Sequence, residues 1–214
     1  FTTMNGKIFR LNKNNLFNES DYKYYKKDFS NLSRQQKQKS RKLAHKIIKK
    51  RFEGKIGENI KELTTTKSAF GKRYNNKVNI LNKNKKIKIL IATHQLGDTC
   101  NYWGRNFFPD FYEWLISILE ISKQTNYDWY IKLHPDLNQY WDNTERIIKN
   151  LLKKKYKHIK YLDNKTPHSR IISEGINFAV TCSGSVCAEY AYFKIPTINS
   201  SLSNPHMDFS FSIN

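Results

Sequence analysis

Four groups of polar residues each follow an apolar run of β-strand type, and these are the places where the chain could do chemistry. His94 and Asp98 come directly after Lys88-Ile89-Leu90-Ile91-Ala92-Thr93. A histidine and a carboxylate in one loop can move a proton or orient an acceptor. His134-Pro135 follows Trp129-Tyr130-Ile131-Lys132-Leu133, so an ammonium group and an imidazole arrive together. Proline fixes the turn, and the histidine can donate to a phosphate oxygen. Ser183-Gly184-Ser185 joins Asn177-Phe178-Ala179-Val180-Thr181 to a helix start, where backbone N–H groups and hydroxyls attract an anion. Glu189 lies one helical turn further on and could accept from sugar hydroxyls. Ser200, in Asn199-Ser200-Ser201, follows Ile195-Pro196-Thr197-Ile198. The catalytic candidates are therefore His94, Asp98 and His134. The substrate-binding candidates are Lys132, Pro135, Ser183, Gly184, Ser185, Glu189 and Ser200.

Each candidate also has a structural reading. Asp98 can be turn chemistry, His94 a cap, His134-Pro135 an ordinary loop, and Ser185 an N-cap with no ligand. What favours function is position, since ligands of open α/β sheets bind beyond the carboxyl ends of the strands. His158, His168 and His206 have no sequence partner that suggests a role.

The elements that must carry these residues alternate. Strands are expected at 87–93, 129–133, 157–162, 177–182 and 195–198. Helices are expected at 108–124 with Pro109 in the first turn, near 141–155, from Thr166 as N-cap with Pro167 as first helical residue to Gly175, and from Gly184-Ser185 to Phe193. Such alternation predicts an α/β fold with a Rossmann-like parallel sheet over 86–214. Residues 1–85 read as a separate, mainly helical basic segment. Ser33 and Gln36 form a capping box for a helix to Phe52, with Leu43, Ala44, Ile47 and Ile48 as a core stripe and lysines opposite. Residues 72–86 read as a linker.

The 214 residues carry a formal charge of +20. Residues 1–85 hold 23 of the 38 Lys+Arg and only 6 of the 18 Asp+Glu. A field concentrated there suits an anionic membrane surface or a polyanion, and nucleic acid less well. Three cysteines, Cys100, Cys182 and Cys187, form no CxxC pair and fit a reducing, cytoplasmic setting. Metal-ligand spacing, GxGxxG, the P-loop and the G-x-S-x-G elbow are all absent, which weighs against metalloenzyme, dinucleotide dehydrogenase, P-loop NTPase and serine hydrolase readings. No apolar run is long enough to span a bilayer. A start at Phe1 suggests a piece of a longer chain.

The order strand–His-Pro, strand–Ser-Gly-Ser–helix with Glu189, then Lys194-Ile195-Pro196-Thr197-Ile198, resembles the C-terminal donor-binding half of GT-B glycosyltransferases. More narrowly it resembles bacterial capsule polysaccharide biosynthesis proteins, including Kdo-, sialyl- and polysialyltransferase relatives. The likeness covers roughly residues 87–200. It implies that His134, Ser183 and Ser185 contact the phosphate of a nucleotide-sugar, with a CMP-sugar favoured, and that no further cofactor is required. It also implies a growing glycan or glycolipid as acceptor, at the inner face of the membrane, with the general base on a domain not recognisable in 1–85. The alternatives are a sugar-nucleotide epimerase, a teichoic-acid-type glycerol-phosphate transferase, or a non-catalytic basic protein that binds polyanions or membranes.

Overall fold

A computed structural model describes residues 2–4, 7–9, 25–53, 78–98, 100, 107–135, 143–201 and 212–213. His206 lies outside the described residues. In chain order the elements are β1 (Thr2–Met4), β2 (Lys7–Phe9), α1 (Tyr25–Asn31), α2 (Arg34–Phe52), β3 (Lys88–Ala92), α3 (Phe111–Ser122), β4 (Asp128–Lys132), α4 (Thr144–Lys154), β5 (Lys160–Leu162), α5 (His168–Ser173), β6 (Phe178–Thr181), α6 (Val186–Tyr192), β7 (Thr197–Asn199) and β8 (Ser212–Ile213). β1 and β2 form an antiparallel pair. The other six strands form one sheet in the order β5-β4-β3-β6-β7-β8, every pair parallel.

Numbered from β3, that order is 3-2-1-4-5-6, the doubly wound arrangement whose order reverses between the first and fourth strands. Here the reversal lies between β3 and β6. All five residues of β3 are buried, which explains why it reads as a continuous apolar run. Its side chains alternate between two cores. Ile89 and Ile91 pack with Trp114, Leu115 and Leu119 of α3 and Ile148 and Leu152 of α4. Leu90 and Ala92 pack with Ile171 of α5, Val186 and Tyr190 of α6, and Ile80 and Leu81.

Helix boundaries follow local hydrogen bonds more closely than apolar pattern. Asp110, not Pro109, sets the start of α3: it is the N-cap, and its carboxylate accepts from the Glu113 N–H at 2.8 Å. Pro167 is itself the N-cap of α5, with ψ 135°, so the helix starts one residue later than expected and Thr166 does not cap it. Gly175, at φ +88°, ends α5, its N–H donating to Ile172 O. α2 has the expected capping box on Ser33 and Gln36. Its expected core stripe does not form: no residue of α2 is buried, and Leu43 and Ile47 are more than half exposed.

The stretch read as a linker is part of the core for the residues described. Ile80 and Leu81 are buried. Their N–H groups donate to one oxygen of Glu174, both at 2.8 Å, and the Asn82 N–H donates to the Tyr130 hydroxyl at 2.8 Å. The Asn82 and Asn84 side-chain amides donate to Asp128. Arg170 completes the clasp, pairing with Glu174 at 2.7 Å and donating to Val78 O. The polar composition that suggested a linker is used to satisfy backbone groups at the amino edge of the sheet.

Burial alone would raise the Glu174 carboxyl; the Leu81 N–H, Arg170 and the Ile80 N–H together hold it below its usual value of 4.5. The clasp therefore stabilises the fold fully above about pH 4.5 and loses that contribution as pH falls through the lowered folded-state value. Glu174→Gln should cost about 2 kcal/mol at neutral pH, as expected for hydrogen bonds to a charged group. Chemical denaturation at several pH values should show the gap to wild type closing below pH 4.5; a gap constant with pH would mean that the charge is not involved.

Candidate functional site at the strand-order reversal

His94 leaves the end of β3 and Ser183 leaves the end of β6, so both stand at the reversal point. They meet there. The Ser183 N–H donates to His94 Nε2 at 3.2 Å, and the Thr181 hydroxyl lies 3.3 Å from the same nitrogen. Because Nε2 accepts, the imidazole proton sits on Nδ1. The ring is held flat on Phe111, centroids 4.3 Å apart at 10°, with Trp114 edge-on at 6.4 Å. Burial and the neighbouring His134 push the His94 pKa down to about 4, against an upward pull from Asp98. A nitrogen that is neutral and already occupied by a backbone donor is a poor acid or base near neutrality. In this geometry His94 positions the turn.

The turn itself is wired internally. The Gly184 N–H donates to Thr181 Oγ1 at 3.3 Å, so neither the Ser183 nor the Gly184 amide points free as the sequence suggested. A Cβ on residue 184 would stand 2.7 Å from Thr181 Oγ1, which is why the position is glycine. Ser185 is the N-cap of α6 but makes no capping bond; its hydroxyl donates to Glu189 at 2.9 Å.

Glu189 is nearly fully buried, and a buried carboxylate needs a counter-charge. Arg51, the penultimate residue of α2, supplies it, with Nε 2.7 Å from Glu189 Oε1 and Nη2 3.4 Å from Ser185 Oγ. Phe52 packs edge-on against Phe193 at 4.6 Å, and the Tyr192 hydroxyl bonds His45. The basic segment is thus attached to the β6–α6 turn. Sequence reasoning did not find Arg51, because its partner lies in the other half of the chain.

Other basic side chains stand at β4 and α5. Lys132, buried at the end of β4, donates to Asn164 O at 2.9 Å, tying β4 to the loop after β5. His168, buried at the start of α5, bonds the Tyr190 hydroxyl through Nδ1 at 2.9 Å. Its pKa is pushed well below 6.5, first by burial and then by the charges of Lys132, Arg51 and His134. His134 stands near enough to both His94 and His168 for its charge to lower their pKa values. His168 was one of three histidines with no apparent partner in the sequence; its place after the β5 strand was the signal that could have found it.

Other candidates are placed differently. Asp98 is exposed in the turn where its N–H donates to Gln95 O, and Pro135 is partly buried beside His134. Ser200 serves the core: its hydroxyl accepts from the Trp114 indole at 2.9 Å, its N–H donates to Cys182 O and its carbonyl accepts from Phe107. Burial raises the Cys182 thiol to about 12, so it is no thiolate nucleophile. Among the described residues no group of three or more His, Cys, Asp or Glu could hold a metal ion, and no helix is long and apolar enough to cross a membrane.

Compared with protein-family models, curated proteins and solved structures, the chain matches none.

Two outcomes test that geometry. His94 should remain neutral from pH 8 down to about 5, titrating near 4, with the Nδ1–H form seen in nitrogen-15 spectra; an ordinary midpoint near 6.5 would remove the hydrogen bond to Ser183. Gly184→Ala should destabilise the chain by about 1–3 kcal/mol through overpacking. Combining it with Thr181→Ala should cost less than the sum of the two single changes, because the clashing hydroxyl is gone.

Proposed function

We propose that this chain is the nucleotide-sugar-binding part of a glycosyltransferase that extends a surface polysaccharide, with a CMP-sugar as donor. The observation that carries the reading is Arg51 held at the β6–α6 turn by Glu189 and Ser185, with Lys132 and His134 at the carboxyl end of β4 on the same edge of the sheet. A doubly wound sheet offers its crevice there, and a cluster of cations is what the phosphate of a nucleotide-sugar requires.

In this reading the phosphate lies between Lys132 and His134 on one side and Arg51 on the other. As the bond from the anomeric carbon to the phosphate oxygen breaks, negative charge grows on the phosphate. Fixed donors already aimed at it lower the barrier, since they need no reorganisation at that moment. Lys132 is preoriented by Asn164, and Arg51 by Glu189. His134 is the group assigned to donate to the departing oxygen. Glu189, occupied by Ser185 and Arg51, orients the arginine and does not take up sugar hydroxyls. A glycan or glycolipid hydroxyl would attack the anomeric carbon.

Calorimetric titration of the full chain with CMP, UDP, GDP and CDP tests the reading. One nucleotide should bind, and His134→Ala should weaken it about tenfold or more while leaving the unfolding midpoint unchanged, as loss of a charge-assisted hydrogen bond requires. Folded wild-type protein that binds none of the four would end the proposal. With the matching labelled nucleotide-sugar, label carried onto polymer marks transfer, and a stereoisomer of the free sugar nucleotide marks an epimerase instead.

A further inference from the structure

α2 has two sides with different tasks. One is docked: His45 bonds Tyr192 and Phe52 packs on Phe193, while Arg51, about 40° round the helix from Ile47, reaches Glu189 from the border between the two sides. At 100° per residue, Leu43 and Ile47 lie on the other side, at least roughly 120° from Phe52 and His45. Lys39, Lys46 and Lys50 share their arc, at helix-neighbour spacings of three and four. All five are exposed. The helix as a whole holds nine lysines and arginines and no acid. Two branched aliphatic side chains held in water on a rigid helix, ringed by ammonium groups, match one surface in particular. The lysines meet lipid phosphates while the aliphatic groups enter the headgroup boundary. A soluble polyanion would use the lysines and leave Leu43 and Ile47 with nothing to bury.

We propose that the face of α2 formed by Lys39, Leu43, Lys46, Ile47 and Lys50 docks this protein onto an anionic lipid bilayer. The inference does not depend on the glycosyl-transfer reading. If both hold, Arg51, at the end of the same helix, sets the candidate site beside the lipid surface.

The test is co-sedimentation of the full chain with phosphatidylcholine vesicles, with and without about one-third phosphatidylglycerol. Binding should require the anionic lipid and weaken as salt is added. Leu43→Ser with Ile47→Ser should weaken it about tenfold. Each of Lys39→Gln, Lys46→Gln and Lys50→Gln should weaken it about fivefold. These positions are exposed, so the unfolding midpoint should hold; a variant that unfolds is replaced by Leu43→Gln alone, read in the same assay. No binding to anionic vesicles overturns the proposal. So does binding that is indifferent to Leu43 and Ile47 and is matched by an acidic polysaccharide or nucleic acid, which would make α2 a polyanion-binding face. A nucleotide-binding failure with intact vesicle binding would remove only the glycosyl-transfer reading.

Discussion

The complete burial of β3 is the constraint from which the rest follows. A strand with no face in water must be covered twice, so helices are needed on both sides of the sheet. α3 and α4 take the Ile89–Ile91 side, and α5 and α6 take the Leu90–Ala92 side. Parallel neighbours must each be reached by a crossover, which sends every strand's carboxyl end to the same edge. Polar residues that close each strand are thereby brought together without being close in sequence. His94 and Ser183 are 89 residues apart and share a hydrogen bond.

A second constraint is the buried Glu189. Its carboxylate has left water, so the fold must bring a cation to it. That cation comes from α2, a polar helix whose apolar attachment is the Phe52–Phe193 contact at its end. The same pair fixes the arginine beside the polar turn, so one ion pair both attaches a helix and furnishes a site. Removing Arg51 alone would leave the acid buried without its counter-charge, a worse state than removing both.

Much of the α/β half was legible because its signals are local. A strand buried on two faces carries a run of apolar residues, and β3, β4 and β6 show one at Ile89–Ala92, Trp129–Ile131 and Phe178–Val180. The capping box of α2 lies within four residues, and it is found as written. What was not legible depends on distant partners. Ile80 and Leu81 looked like interruptions in an Asn- and Lys-rich linker, because Glu174, the acceptor for their backbone, is more than ninety residues away. The stripe of Leu43 and Ile47 has core periodicity, yet among the described residues it stays exposed; periodicity reports that side chains share a face and not what covers that face. Ser185 and Glu189, read as ligand groups one helical turn apart, bind each other and Arg51. β8 is two residues long, too short for any pattern, and Asn5-Gly6 between β1 and β2 was the unused hairpin signal.

The sheet also tapers. β3 and β4 have five residues each, β6 four, β5 and β7 three, and β8 two. Strand length falls from five residues in β3 and β4 to three in β5, so that margin presents only a short row of unpaired peptide groups. Another chain seeking to extend the sheet would gain few hydrogen bonds, and would meet the charged side chain of Lys160 along β5. A sheet rich in aromatic and β-branched strands thus carries protection against edge-to-edge growth at its β5 margin, in the length of that strand and the charge on it.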